Sequence, residues 1–239
     1  MSKTTVDSLR DQIYRAKQPK VDRFEFNSQV VSVFPDMIRR SIPGYDTIIH
    51  LSGVLAAQYL TPGSRCYDLG CSLGATTASV LDSIGEMPVN IESVDASGPM
   101  IEEASNRITD SRVHFQQADI RKVSFRPASV VILNFVLQFL PPEDRFTLLN
   151  TVRNTMNPDG LLIISEKVEF TEEFDEIHTE FKRSNSYSDL EIAQKRQALE
   201  RVMQIDSEHT HLNRLYEAGF RRPRRWFQCL NWVSFIANA

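Results

Sequence analysis

The sequence predicts an α/β fold: a mostly parallel seven-stranded sheet with helices on both faces and an antiparallel hairpin near its C-terminus. Three observations predict it. Short apolar runs alternate with helical stretches between residues 65 and 165, the signature of repeated strand–helix units. Residues 67–77 (YDLGCSLGATT) read as a strand that passes through small residues straight into a helix. Two further β-like runs, 225–229 and 231–236, close the chain.

Taken in order, residues 1–24 are polar and charged, and read as a mobile arm or a short helix capping a single domain that spans 25–239. Residues 27–40 place apolar side chains at helical spacing behind Asn27, a candidate N-cap. Pro43-Gly44 marks a turn, and 46–60 forms a second apolar-faced helix that Thr61-Pro62-Gly63 ends. The predicted strands are Arg65–Leu69, Val89–Val94, Val113–Gln117, Val130–Phe135 and Leu161–Ser165, with helices over 74–84, 98–108 and 143–156 between them. A largely polar, helix-prone stretch at about 170–205 has no place in that alternation and reads as an insertion; 207–218 offers a final helix.

Composition narrows the function classes. The chain has 239 residues, 41% apolar and 24% charged, enough to bury a core without disulfides or a structural metal. Its net charge of -4 gives no bulk attraction to a nucleic acid backbone. Cys66, Cys71 and Cys229 have no zinc-like spacing, and the histidines show no metal-ligand pattern; no metal is expected. The charged N-terminal stretch is no signal peptide and no apolar run reaches membrane length, so a soluble, cytoplasmic protein without membrane contact is expected.

The residues that carry chemistry lie at the predicted strand ends. In Gly70-Cys71-Ser72-Leu73-Gly74, Gly70 permits the tight turn and Gly74 close helix–strand packing, while the helix start presents free N–H groups. The Gly-Lys-Ser/Thr of a nucleoside-triphosphate loop is missing. Asp95 ends the second strand, where a carboxylate can accept both ribose hydroxyls. Asp119 ends the third, where an acceptor can take an adenine amino group. Either acid alone could be a solvated loop residue or a helix cap, and Cys71 alone reads as a small apolar residue. In this order they resemble the pattern of the Rossmann-like methyltransferases that use S-adenosylmethionine (SAM). Asn134, at the end of the fourth strand, is followed by Phe135 rather than by the Pro-Pro-aromatic of amino methyltransferases.

Four stretches resemble a narrower family, the carboxy-S-adenosylmethionine synthases. They are Val33–Ile38 with Ser41–Tyr45, Tyr67–Ala75, Leu133–Phe135 with Leu137–Leu140, and Glu191–Arg201 with its Gln194-Lys195-Arg196 core. The resemblance runs over roughly 25–238. It implies that SAM, as substrate, reacts with prephenate to give carboxy-SAM, phenylpyruvate and water. Carboxy-SAM is then the donor for a partner enzyme that carboxymethylates wobble uridine in tRNA. It implies that Tyr45, Gly70, Cys71, Ser72, Asp95, Ala96, Asp119, Ile120 and Asn134 contact the SAM portion, and that Arg196 holds the new carboxylate. Asn134 and Arg196 are the residues it places at the reacting end. It implies a homodimer too, leaving open which subunit supplies Arg196. Read from the sequence alone, Arg196 is equally well a helix-surface charge pairing with Glu200, and Tyr45 a core aromatic. The alternatives are a conventional methyltransferase of a small molecule or RNA, and a non-catalytic SAM-binding subunit. Ala96 and Ser186 depart from the family pattern, which has Asn and Gly there. The basic run Arg221–Arg225 reads as a solvated loop, and direct nucleic-acid binding is not expected.

Overall fold

The computed structural model describes residues 9–239. Seven strands form one sheet in the order β3-β2-β1-β4-β5-β7-β6. In chain order they are β1 (Arg65–Leu69), β2 (Asn90–Asp95), β3 (Val113–Gln117), β4 (Ala128–Asn134), β5 (Met156–Lys167), β6 (Arg221–Cys229) and β7 (Trp232–Asn238). β1 to β5 run parallel, and β7 joins antiparallel, Ser165 opposite Ser234. The α/β architecture and the closing hairpin are those the sequence predicts. The helices are α1 (Ser28–Ser41), α2 (Tyr45–Ala57), α3 (Ala75–Ile84), α4 (Gly98–Arg107), α5 (Pro142–Thr155), α6 (Glu172–Ser184), α7 (Asp189–Leu199) and α8 (Glu208–Glu217).

Alternation along β4 explains the two-sided core. Val131 and Leu133 pack with Leu149 and Val152 of α5 and Leu215 of α8. Val130 and Ile132 pack with Ala56 of α2 and Val80 and Ile84 of α3 on the other face. A strand buried on both faces reads as a continuous apolar run, which Val130–Leu133 is. On the second face, α2 and α3 touch at Gly53, where a Cβ would lie 2.3 Å from the Ser79 carbonyl oxygen.

Three expectations need correction. β4 ends at Asn134, not Phe135: Phe135 takes φ +64, which breaks the strand and turns the chain over the sheet edge. The basic run Arg221–Arg225 is not a loop but the start of the edge strand β6. Arg221 pairs with Asp159 and Arg225 with Glu208, and charge on an outer strand discourages further strand pairing. Finally, of the expected N-terminal arm, residues 1–8 lie outside the described residues, and 9–24 form neither a helix nor a separate element. Tyr14, Val21 and Phe24 are buried with α1, Leu73, Met100 and Ala198. Gln194 of α7 fastens the segment, donating to the Tyr14 and Ala16 carbonyls at 2.9 Å each. Its few apolar side chains outweigh the polar composition that suggests an arm.

α6 and α7 occupy the stretch that interrupts the strand–helix alternation. A capping box of Ser188 and Glu191 starts α7. The end of the insertion is held by fully buried Arg145 of α5, which pairs with Asp206 at 2.5 Å and donates to the Leu140 and Gln204 carbonyls. The insertion is thereby fixed over the C-terminal edge of the parallel strands, the edge where open α/β sheets bind ligands.

Candidate functional site

The floor of the site is the loop between β1 and α3. Gly70, Ser72 and Gly74 all lie at positive φ (76°, 50° and 78°), which reverses the chain within five residues. Gly70 cannot be replaced without strain, because a Cβ there would lie 2.4 Å from Val136 Cγ2. Gly70 and Cys71 N–H both donate to the Val94 carbonyl (2.7 and 3.0 Å), pinning the loop to β2. The Cys71 thiol is buried and its pKa is raised by desolvation, so it is a packing group.

Asp95 crosses from β2 to this loop. Its Oδ2 accepts from Ser72 N–H and its Oδ1 from Ser97 N–H, each at 2.9 Å. Burial raises its pKa, and these backbone donors oppose the shift. Each carboxylate oxygen keeps one further acceptor direction. Asp119 is engaged differently. It caps the turn Ile120–Lys122 and pairs with Arg121 at 2.6 Å, which holds its carboxyl below the ordinary range. Ile120 is buried beneath it, and the neighbouring Ala96 carbonyl accepts from Gln117 at 3.5 Å.

The opposite wall is built around Asn134. Its Nδ2 donates to Thr76 Oγ1 (3.2 Å) and Ser52 Oγ (3.4 Å), while its Oδ1 is buried without a partner. An acceptor left unpaired in a closed site costs about 1–3 kcal/mol, so this atom fits a donor carried by a bound molecule. Glu166, fully buried, fixes the chain just beyond. Its carboxylate accepts from Val136, Leu137 and Gln138 N–H at 3.0, 2.7 and 3.1 Å. Burial pushes this carboxyl up to about 7, although the three donors and Arg145 favour its charged form. Tyr45 stands beside them, its ring 6.1 Å from Phe135 and its hydroxyl pushed up by burial. Phe135 in turn lies 5.4 Å from the Trp232 ring.

The strand-end residues therefore converge, and Arg196 does not join them. It is exposed on α7 in an open groove of about 320 Å³, its guanidinium donating only to Thr179 of α6 at 3.4 Å. It forms no ion pair among the described residues, including with Glu200. Two acids beneath the site have no role assigned to them by the sequence reading. Asp68 is buried and accepts from Thr77 Oγ1 at 2.7 Å, with its carboxyl pushed up to about 6 by burial. Glu166 is the other. Both interrupt apolar strand runs, Tyr67-Asp68-Leu69 and Ile164-Ser165-Glu166, and that interruption is the signal that could find them. Among the described residues no cluster of His, Cys, Asp or Glu could hold a metal ion. None of their helices is long and apolar enough to cross a membrane.

A family profile described as "Methyltransferase domain" matches residues 67–160, the strand–loop–helix region that carries these groups. Over nearly the whole chain it is similar to the carboxy-S-adenosyl-L-methionine synthase of Actinobacillus succinogenes, 48% identical over 237 residues covering 95% of this chain and 98% of that protein. The enzyme of the same name from Geobacter sp. is 48% identical, covering 95% and 97%. Among solved structures, human N-acetylserotonin methyltransferase in complex with SAM superposes with a TM-score of 0.61 at 15% identity, over 88% of this chain and 55% of that one. A SAM-dependent methyltransferase from Aquifex aeolicus gives 0.61 at 14%, over 90% and 99%. At such identities the structural likeness establishes the fold alone.

Proposed function

We propose, since this chain belongs to the carboxy-S-adenosyl-L-methionine synthase family, that it takes the carboxylate for carboxy-SAM from prephenate and supplies the product to an enzyme that modifies tRNA. As a member of that family it is a transferase whose substrate is SAM. The sulfonium stabilises a carbanion on its methyl carbon. Prephenate, as it aromatises to phenylpyruvate, releases CO2 and hydroxide. The hydroxide removes one methyl proton to form water, and the resulting ylide carbon bonds to CO2. Every atom is accounted for without a protein base. That suits a site whose buried acids, Asp68 and Glu166, are already committed to Thr77 and to three backbone N–H groups.

In this reading Asp95 accepts the ribose hydroxyls with its remaining lone pairs, and Asp119 with Ile120 holds the adenine. Ala96 meets the same nucleoside through its backbone. Gly70 to Ser72 line the methionine portion. Asn134 and Tyr45 flank the sulfonium end, and the rings of Phe135 and Trp232 keep water from the reactive carbon. The observation that carries the reading is the buried, unpartnered Asn134 Oδ1 at that end, in a chain of this family. Arg196, unpaired and exposed, is suited to meet the new carboxylate across a homodimer contact, where exposed Phe170, Ile177 and Leu190 of the same region would also be covered. A cytoplasmic location follows from the substrates.

Mass spectrometry of the denatured protein tests this directly. A copurified species heavier than SAM by one CO2 is expected, and incubation with SAM and prephenate should yield phenylpyruvate. Arg196→Ala should lose the heavier species and keep SAM. Copurified SAM or S-adenosylhomocysteine alone, with prephenate untouched, overturns the reading in favour of a conventional methyltransferase.

A further inference from the structure

We propose that Lys167 and Lys182, gathered around His178 and Trp232, form a second anion site beside the SAM pocket that receives the two carboxylates of the SAM partner. The inference rests on the reading above for the identity of that partner. Asp175, His178 and Lys182 lie at i, i+3 and i+7 on α6, one face of the helix. That face meets the sheet edge where Lys167 of β5 stands opposite Trp232 of β7. The His178 ring lies 6.0 Å from Trp232, and its Nε2 donates to the Ser41 carbonyl at 2.7 Å, so its protons are already directed. Trp232 leads through Phe135, at 5.4 Å, to Asn134. Two aromatic side chains, Trp232 and Phe135, therefore connect this face to the reacting end.

Charge at this place is unbalanced. Lys195, close by, has Ser41 Oγ at 2.8 Å and Asp11 at 3.7 Å. Lys182 has neither an ion pair nor a side-chain hydrogen bond among the described residues. The acid that faces the cluster is Asp175, 3.7 Å from Lys167 and shared with Asn231. Trp232 Nε1, a donor, is buried without an acceptor. Burial lowers the pKa of Lys167 and takes Lys182 down to about 7, with Lys167, Lys195 and Arg196 adding repulsion and Asp175 opposing it. A desolvated cation without an anion, as Lys182 is, disfavours the folded state, and it is kept where a ligand supplies the anion. A dicarboxylate does so, whereas its product after CO2 loss carries one carboxylate and holds less tightly. The charge that leaves the lysines reappears on carboxy-SAM, near Arg196.

The test compares Lys182→Met, Lys167→Met and Lys182→Arg with wild type. Each methionine variant should raise KM for prephenate about ten- to hundred-fold, the loss of one charged hydrogen bond. SAM affinity by calorimetry should stay within about twofold. Lys182→Met should melt at or above the wild-type temperature, because it removes an unpaired cation, and Lys182→Arg should restore most of the KM. Wild-type KM should rise as pH increases above about 7, where Lys182 loses its charge, and that rise should be smaller in Lys182→Met, where Lys167 alone is left to titrate. His178, taken down to about 3, stays neutral there. A structural lysine would instead lower the melting temperature and leave KM unchanged, and that result overturns the proposal. Calorimetric titration of malonate onto SAM-saturated protein separates the two readings. Lysine-dependent malonate binding with prephenate untouched sinks the reaction but supports the site. Phenylpyruvate formation with unchanged KM in both methionine variants sinks the site alone.

Discussion

Asp95→Ala separates two jobs that one carboxylate does. The substitution removes the acceptor of both Ser72 N–H and Ser97 N–H, each held at 2.9 Å. The first of these keeps Ser72 at φ 50, a conformation that non-glycine residues adopt only with support. Leaving two donors without a charged acceptor costs about 1–3 kcal/mol each, less where water reaches them. Asp95 is partly exposed, so a net loss of about 2–3 kcal/mol of stability is expected. Loss of the ribose contacts should add about 1.5–3 kcal/mol to the binding free energy, roughly a ten- to hundredfold weaker Kd for SAM. The assay is calorimetry of SAM and, separately, of S-adenosylhomocysteine. Both carry the same ribose, so both should weaken by the same factor, whereas a disturbance at the methyl end would split them. Asp95→Asn, which keeps an acceptor for one N–H, should fall between. A folded Asp95→Ala protein that binds SAM with unchanged affinity refutes the ribose assignment, and one that melts at the wild-type temperature refutes the loop-pinning role.

Glu166→Gln leaves one carbonyl oxygen where a carboxylate serves three N–H groups; about 2–4 kcal/mol of stability should be lost, read by denaturant unfolding. Gly70→Ala combines a left-handed residue with a 2.4 Å approach to Val136 and should cost more than Gly63→Ala, where φ is 82 but nothing lies within 4 Å; the excess, about 1–3 kcal/mol, isolates the steric part and should come with weakened SAM binding. Acid should destabilise the protein through His178, whose folded pKa of about 3 lies below its ordinary 6.5. The unfolded chain binds the extra proton between those values, so stability falls as pH drops from 6.5 toward 3. Melting temperatures of His178→Gln should show a shallower fall over pH 6.5–4.5 than wild type.

Where burial and turn chemistry are local, the sequence is legible. β1 and β3 match the predicted Arg65–Leu69 and Val113–Gln117 to the residue, because each is a short run bounded by turn residues. Asn27 caps α1 as its position suggests, accepting from Val30 N–H at 3.1 Å. Legibility ends where a distant partner decides the outcome. Phe135 extends an apolar run, yet it leaves the strand beside a loop that Glu166 grips from β5. Arg221–Arg225 has the composition of a loop and becomes a strand because β7 offers an open edge. For the site, the order of Gly70, Asp95, Asp119 and Asn134 along the chain locates it at the strand ends. Spacing alone could not reveal that Asn134 Oδ1 is unpaired, that Arg121 already claims Asp119, or that α6 turns His178 toward Trp232.

The two ends of the site carry opposite charge, and the proposed reaction has the same polarity. Acceptors cluster at the strand ends: Asp68, Asp95 and the free Asn134 oxygen. Cations gather at the other end: Lys167 at the end of β5 and Lys182 on the insertion, with Arg196 reaching in across the proposed homodimer contact. SAM brings a sulfonium, which suits the acceptors, but nothing anionic on its methyl for the cations to meet. Carboxy-SAM brings both, a sulfonium and a carboxylate one carbon apart, aligned with a field that is in place before the reaction begins. Groups fixed in this way favour developing charge without reorganising when it forms. Because the gain exists for the product and not for SAM, carboxy-SAM should be the tighter ligand, by about tenfold or more for one new charge-assisted contact. Competition calorimetry of carboxy-SAM against SAM reads that ratio. If the ratio is near unity in wild type, the opposed charges of the strand ends and the insertion do not act together on one molecule.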